Sequence, residues 1–599
     1  MLAAEQLKRN DGQWQAYEAS GNCVILAGPG SGKTKTLTIK LARILAEDVR
    51  PPRAAACITF NNQCVRELKR RLRELGVEDG RRASICTVHS FCLRHVVLPY
   101  AHLTPLAKKQ PITVASTEEA RQLQQLALDR TLGSERWGPR FDRYRRRYLD
   151  RETPQWHSAD EDAARAIEQY EALLDQRGLI DFDGMILIGL YLVSQNQWVR
   201  ECLAARFPVL VVDEYQDLGC ALDRIVQCLC FEAGIRLLAV GDPDQSIYGF
   251  TGAEPTLLRA LAQRGDVETV RLELNYRCGS SIIQASSAVV RPSGGAEAAE
   301  HRFRANRDEP GLVFFHELPG GVEEQADFVC ETLIPQSLGR RRGRQLGDVA
   351  VLYLDRNDGD VIARAVQKKG WDFVRVDGNN PYQPSPVTYW LEDCAAWCAG
   401  SWQTGSIGLS GLVRRWLAFN ESMCTDTERR AAQTRLVRFL YDHRTPDMLL
   451  CEWVGGFLSD VGLEQTLERE PRLRDDRQKV ERLVRAASPG GPLENATVTF
   501  FGGQGGSPEH LSLTTLHSAK GLEYDVVVML AMEDGRIPFY NDSEPRVREK
   551  RRLFYVGLTR ARDEVHLVYS GWYRNRYGRA FRNGRSRFVD EVEAAVAAH

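Results

Sequence analysis

Residues 27–34 read Ala-Gly-Pro-Gly-Ser-Gly-Lys-Thr and directly follow the apolar run Cys23-Val24-Ile25-Leu26. No other feature constrains the fold as tightly. A glycine-rich turn between a buried strand and a helix-compatible run, here Thr34 to Leu45, lets successive backbone N–H groups converge on one phosphate. In such a turn Lys33 reaches the β- and γ-phosphates of a nucleoside triphosphate and Thr34 ligates Mg²⁺. Further on, a second apolar run, Val209 to Val212, ends in Asp213-Glu214. Asp213, at the end of a buried strand, is placed to hold the same Mg²⁺, usually through water. Glu214 is placed to orient or deprotonate an attacking water, which hydrolysis needs and transfer to a hydroxyl does not. The string departs from the strict phosphate-loop pattern only in its first position, Ala27.

A chain of 599 residues with 43% hydrophobic content supplies several ordinary cores, so a multidomain globular enzyme is expected. The formal net charge of −1 argues against a surface that is basic all over, so any nucleic-acid site must be a local groove. Fifteen cysteines occur without a C-x-x-C pair, and neither Cys228-Leu229-Cys230 nor Cys394 to Cys398 makes a metal site without further partners. Buried reduced thiols and a cytoplasmic location are expected. Met1 to Asn10 lacks an apolar signal core, and the longest apolar stretch, Gly184 to Val193, is too short for a membrane span of roughly 18 residues.

Along the chain, short strands are expected at Ala54 to Phe60 and Ser84 to Val88, with a basic amphipathic helix at Asn62 to Leu75 between them. From Leu93 to Arg206 the text turns helical and charged, an insertion within an α/β domain. Strands resume at Phe207 and at Leu237 to Asp242. A second α/β unit begins with Val313 to His316, Val349 to Leu354 and Phe373 to Val376, and is interrupted by a second helical stretch. A Gly- and Pro-rich connector, Ser488 to Pro508, then leads into strands at Leu511 to Leu516, Val526 to Ala531 and Glu564 to Tyr569. The expected division is 1–91, 206–277 for the first α/β domain with an insertion at 92–205, and 278–380, 509–599 for the second with an insertion at 381–508. No internal sequence repeat is evident.

At this point the residues resemble the superfamily 1A DNA helicases of the UvrD/Rep/PcrA type. Gln13 with Ala16 resembles the adenine-reading motif, Ala27 to Thr34 motif I, Thr59-Phe60-Asn61-Asn62 motif Ia and Thr87-Val88-His89 motif Ib. Asp213 to Asp217 resembles motif II, Gly241 to Phe250 motif III and Leu274-Asn275-Tyr276-Arg277 motif IV. Thr515 to Tyr524 resembles motif V, and Arg552 with Tyr555 to Ala561 motif VI. The resemblance implies an α/β fold of two RecA-like P-loop domains, each parallel sheet flanked by helices and carrying a mainly helical insertion.

It also implies the site. The nucleotide, ATP, would be held by Gln13, Ala27, Gly28, Pro29, Gly30, Ser31, Gly32, Lys33, Thr34 and Lys35, with Tyr276 stacked on adenine and Glu523 on the ribose. Thr34 and Asp213 would hold Mg²⁺. Catalysis would fall to Lys33, Asp213, Glu214 and Gln245, the last sensing the γ-phosphate, and to Arg277 and Arg560, arginines of a second domain that couple hydrolysis to closure. Single-stranded DNA would be met by Thr59, Phe60, Asn61, His89, Tyr248, Phe250 and His517, aromatic faces stacking bases at about 1–3 kcal/mol each.

Two basic runs lie outside the motifs. Tyr144-Arg145-Arg146-Arg147-Tyr148 reads as a phosphate grip or a solvated basic face, and Trp572 to Phe588 as a phosphate grip that runs into a structural closing segment. Thr251 stands where many relatives have Arg, Phe250 where Trp is common, and Lys35 where an Arg often stacks on adenine, so ATP hydrolysis is the firmer expectation and DNA coupling the looser one.

The resemblance implies an ATP-driven motor moving 3′ to 5′ on single-stranded DNA and separating duplex, on single-stranded and tailed duplex DNA, in repair, replication restart or recombination. The alternative is a DNA-responsive ATPase subunit partnered with a nuclease, as in Gabija-type antiphage defence. A nuclease or repair factor is the expected class of protein partner, and no membrane is involved.

Overall fold

In the computed structural model the chain is described over residues 2–60, 62–77, 82–131, 138–290, 303–375, 382–383, 385–404, 407–423, 425–502, 509–574 and 578–598. Its contacts group it into two units: Met1–Phe315 with Glu533–Val565 and Asn583–His599, and His316–Met532 with His566–Arg582.

The first unit is built on a six-stranded sheet in the order Ala83–Thr87, Ala55–Thr59, Val209–Val212, Arg236–Gly241, Cys23–Ala27 and Glu268–Leu272. Neighbouring strands are parallel throughout. The sequence explains this directly. Runs such as Cys-Val-Ile-Leu-Ala and Val-Leu-Val-Val have no polar face to offer solvent, as strands covered by helices on both sides require. Alternate residues accordingly enter two cores: Val24, Leu26, Ala56 and Ile58 join one, and Cys23, Ile25, Ala27 and Cys57 the other. Because all strands run the same way, the turn after Ala27, Asp213 after Val212 and Asp242 after Gly241 leave the same carboxyl edge of adjacent strands. In open α/β sheets that edge is where ligands bind.

The helix after the glycine-rich turn spans Lys33–Glu47, and the expected basic amphipathic helix spans Asn62–Glu74. The first helical block includes Thr117–Thr131, Gly138–Arg147, Glu161–Arg177 and Phe182–Gln195. Part of it has a core of its own around Leu123, Phe141, Trp156 and Tyr170. The apolar run Gly184 to Val193 lies inside the Phe182–Gln195 helix and packs into the core beneath the sheet. No helix among the described residues is long and apolar enough to cross a membrane.

The basic run at Arg145 divides: Arg147 is exposed, whereas Arg145 and Arg146 are taken up by carboxylates of the same unit. Arg145 is 2% exposed, its guanidinium 2.9 Å from Glu171 and paired with Asp181, while Arg146 lies 3.3 Å from Asp183. Partners 26 and 36 residues away consume that charge.

The second sheet has the order Leu312–Glu317, Ala561–Tyr569, Tyr524–Met529, Val349–Tyr353, Leu511–Thr515 and Phe373–Arg375. Its central pairs are parallel. The chain is thus an α/β protein with two large sheets flanked by helices, as the sequence led us to expect. The helices between residues 386 and 502 close on a separate core containing Trp390, Trp416 and Trp453, with Trp390 and Trp416 stacked at 5.2 Å. The described cysteines are free thiols, most of them buried.

Candidate nucleotide site and nucleic-acid face

The glycine-rich turn is held from all sides by the first unit. The Gly28 carbonyl accepts from Ser31 Oγ (2.7 Å), the Pro29 carbonyl from Asn275 Nδ2 (2.8 Å) and the Gly30 carbonyl from the Tyr276 N–H (2.8 Å). The Ser31 carbonyl accepts from Gln13 Nε2 (3.0 Å) and the Gly32 carbonyl from the Thr36 N–H (2.9 Å). With its acceptors engaged, the loop has mainly donors left for a ligand, which suits an anion.

Two of its glycines are dictated by close approach. A Cβ on Gly28 would lie 2.3 Å from Phe303 Cζ, and one on Gly30, where φ is +67°, would lie 2.6 Å from Arg277 Cβ. Lys33 opens the following helix. Its ammonium is buried with no hydrogen-bond partner, and the nearest carboxylate oxygen, Glu214 Oε1, is 3.9 Å away. A buried, unsatisfied cation is costly unless a ligand completes it. Thr34 and Lys35 sit half-buried in the same first turn.

Asp213 is 6% exposed, and its Oδ1 accepts the Glu214 N–H at 3.1 Å. Glu214 has φ +55°, the left-handed region that a non-glycine side chain seldom adopts and that concentrates at functional sites. A polar chain then runs from Glu214 to Gln245. Gln216 Nε2 donates to Glu214 Oε2, Gln216 Oε1 accepts the Asp242 N–H (3.0 Å), and Gln245 Nε2 donates to Asp242 Oδ2 (2.6 Å). Gln216 and Asp242 lay within the quoted motif strings but received no role from the sequence, since nothing local shows that they connect two strand ends.

Arg277 and Arg560 fall in the same unit as the loop. Arg277 Nη1 donates to the Thr559 carbonyl at 3.1 Å. Arg560 is 2% exposed, with Nε on the Val556 carbonyl (2.9 Å) and Nη2 on Thr559 Oγ1 (3.2 Å). Burial, and then the neighbouring Arg277 charge, pull the Arg560 pKa down to about 10. Arg307, which no motif flagged, donates to the carbonyls of Arg277 (2.8 Å) and Arg562 (3.1 Å) and pairs with Asp563 (2.7 Å).

Gln13 is buried and donates its backbone N–H to the capping Asn10 Oδ1 (3.0 Å); Asn10 Nδ2 donates to the Tyr276 hydroxyl at 2.9 Å, while Tyr276 is 40% exposed. Glu523 lies exposed in the second unit, ahead of the Tyr524–Met529 strand.

Phe60 and Tyr248 stack on one another at 5.3 Å and 20°. Thr59 is fully buried, and its hydroxyl has no hydrogen-bond partner. The Gly249 N–H, at the tip beyond Tyr248, donates to Glu549 Oε1 at 2.9 Å. Asn61 and the side chain of Phe250 lie outside the described residues.

His89 meets the exposed ring of Phe182 edge-on at 5.6 Å, and burial lowers its pKa. It sits in a Thr-Val-His-Ser turn in which Thr87 Oγ1 accepts the Ser90 N–H (3.3 Å). His517, in the second unit, sits in a Thr-Leu-His-Ser turn in which Thr515 Oγ1 accepts the Ser518 N–H (3.2 Å). Both turns follow a parallel strand, so the chain does carry a short repeat, Thr-x-His-Ser.

The run from Trp572 divides. Tyr573–Arg574 and Ala580–Phe581 pair antiparallel, with Tyr573 stacked on Phe581 (5.4 Å) and Arg574, Arg579 and Arg582 exposed. Ser586 instead accepts the Phe588 N–H to cap the last helix, and Phe588 is buried, so this closing segment is structural.

Comparison with known proteins agrees with this geometry. Residues 9–265 match the UvrD/REP helicase N-terminal domain, and residues 499–571 the UvrD-like helicase C-terminal domain. The chain is 26% identical to DNA helicase II of Escherichia coli (strain K12), over 97% of this chain and 87% of that protein. It is 25% identical to ATP-dependent DNA helicase PcrA of Staphylococcus aureus (strain Mu50), over 96% and 85% respectively. With both domain models matched in order, and with the phosphate loop, the Asp213-Glu214 strand end, Arg277 and the buried Arg560 drawn into one unit, the chain belongs to the UvrD-like helicase family.

Proposed function

We propose that this protein is an ATP-dependent DNA helicase that moves 3′ to 5′ on single-stranded DNA and separates duplex ahead of it, in DNA repair, replication restart or recombination. The observation that carries the reading is Lys33: a buried ammonium without a hydrogen-bond partner, beside a loop whose carbonyls are all engaged. Its unmet donors fit the β- and γ-phosphates of ATP. Thr34 and Asp213 are the residues that would hold Mg²⁺, which would supply positive charge to offset the charge that develops during hydrolysis.

Glu214 orients the attacking water, and Arg277 and Arg560 stabilise charge on the γ-phosphoryl oxygens as it passes to water. The chain Glu214–Gln216–Asp242–Gln245 lets loss of the γ-phosphate be felt at Tyr248, three residues beyond Gln245. Phe60, Tyr248, Phe250, Thr59, Asn61 and His89 are the residues assigned to contact single-stranded DNA, and His517 of the second unit is assigned the same role. Tyr276 and Gln13 hold the adenine, with Lys35 beside the loop and Glu523 on the ribose. The six-part division at 91, 205, 277, 380 and 508 describes the working domains, which close on ATP and reopen after hydrolysis to step along DNA.

The test is steady-state hydrolysis with and without single-stranded DNA. The wild-type chain is expected to hydrolyse ATP with DNA stimulation, and Lys33→Ala to abolish that turnover while retaining weak DNA binding. Turnover retained by Lys33→Ala would contradict the phosphate-loop assignment.

A further inference from the structure

We infer that Asn275 is a positioning residue that ties the geometry of the phosphate loop to that of Arg277, so that a single buried amide sets both nucleotide affinity and the reach of the arginine. The inference rests on the ATPase reading above. Asn275 is 2% exposed and ends a two-residue strand, Leu274–Asn275, paired in parallel with Arg304–Ala305. Its side chain faces two ways. Nδ2 donates to the Pro29 carbonyl at 2.8 Å, on the loop. Oδ1 accepts both the Arg277 N–H and the Cys278 N–H, each at 2.8 Å, so the same amide folds the backbone that carries the arginine.

Further contacts close the circuit. The intervening residue, Tyr276, donates its N–H to the Gly30 carbonyl, and a Cβ on Gly30 would lie 2.7 Å from Asn275 Oδ1. The Asn275 carbonyl in turn accepts the Asn306 N–H at 2.8 Å. Loop, arginine and nucleotide-stacking tyrosine therefore share one fixed point. A buried amide suits this job because it carries a donor and an acceptor on one rigid plane. Aspartate keeps the acceptor and the shape, but loses the donor and sets a carboxylate oxygen against the Pro29 carbonyl. Alanine loses both ends.

The two ends make separable predictions. In Asn275→Asp the loop side fails and the arginine side is kept: affinity for a fluorescent ADP analogue and KM for ATP worsen roughly tenfold or more, as expected for a buried acceptor left unpaired. The kcat at saturating ATP stays within a few-fold of wild type. In Asn275→Ala both affinity and kcat fall, kcat by at least tenfold. The measurements are ADP-analogue binding and DNA-stimulated steady-state kinetics on the full-length chain, with thermal melting as the folding control.

An Asn275→Asp protein that melts like wild type and binds ADP like wild type overturns the inference. So does an equal loss of kcat in both variants. If Asn275→Ala does not fold, the Asn275→Asp binding result decides alone. Wild-type protein without DNA-stimulated ATPase would instead defeat the functional reading, whereas wild-type activity with indifferent Asn275 variants defeats only this inference.

Discussion

Arg560 offers a test in which stability and catalysis separate. Its guanidinium is 2% exposed, and burial first, then the charge of Arg277, bring its pKa down to about 10. A pKa lower in the folded than in the unfolded chain means that the unfolded chain holds the proton more tightly. The penalty on folding is therefore in full force below pH 10 and is relieved only as the pH climbs toward the unfolded value of 12.5. At about 1.4 kcal/mol per pKa unit, the charge costs the folded state about 3 kcal/mol at neutral pH.

Arg560→Met keeps the aliphatic packing and removes the charge. It gives up the bonds to Val556 and Thr559, but the Val556 carbonyl still accepts from Thr559 Oγ1 at 3.1 Å. Bonds from a charged donor are worth about 1.5–3 kcal/mol each, which offsets the charge penalty, so the nucleotide-free variant should melt close to wild type, as other buried charges replaced by apolar groups do. Hydrolysis should fall at least 10²-fold, the scale of arginine-finger losses. Differential scanning fluorimetry and steady-state ATPase read the two effects on one preparation. A variant that melts below wild type yet hydrolyses ATP normally would show that the guanidinium is a structural strut and refute the reasoning.

Two other perturbations follow from the same geometry. Gly28→Ala should cripple nucleotide binding, because the new methyl lands on Phe303; Gly28→Ala with Phe303→Ala should restore much of it, and a double variant no better than the single would place the fault elsewhere. Asp244, 3.4 Å from Arg259, has its pKa raised to about 6 by burial and by Asp242, against the lowering effects of Arg259 and Arg552. The folded chain thus binds that proton more tightly, a contribution present near pH 4 and lost as pH rises through 6. Thermal melting of Asp244→Asn relative to wild type should shift in the variant's favour from pH 4 to 7, and a constant difference would exclude the linkage.

What the sequence disclosed was whatever is contiguous. The phosphate loop is legible because strand, turn and helix follow one another within some twenty residues, and the runs of Val, Ile and Leu mark both sheets because a doubly covered strand has no polar face. What it withheld were partnerships made by the fold. Arg145 looks basic on the page and is neutralised by Glu171 and Asp181 from later helices. Asn275, Phe303 and Arg307 carry no chemistry in isolation; each matters because parallel pairing of two-residue strands brings it against the loop or the arginines. The Gln216–Asp242 link is invisible for the same reason: it joins the ends of neighbouring strands 26 residues apart. The twin Thr-x-His-Ser turns are hidden because three shared residues are too few to stand out until both appear as the same hydroxyl-capped turn after a strand.

The central claim, a motor driven from the Lys33 loop and moving 3′ to 5′, is tested most directly by unwinding of duplexes carrying a single-stranded tail on one end. We expect strand separation from a 3′-tailed duplex that requires ATP and disappears in Lys33→Ala, with little from a 5′-tailed or blunt duplex. Separation only from the 5′ tail, or separation that persists in Lys33→Ala, would contradict it.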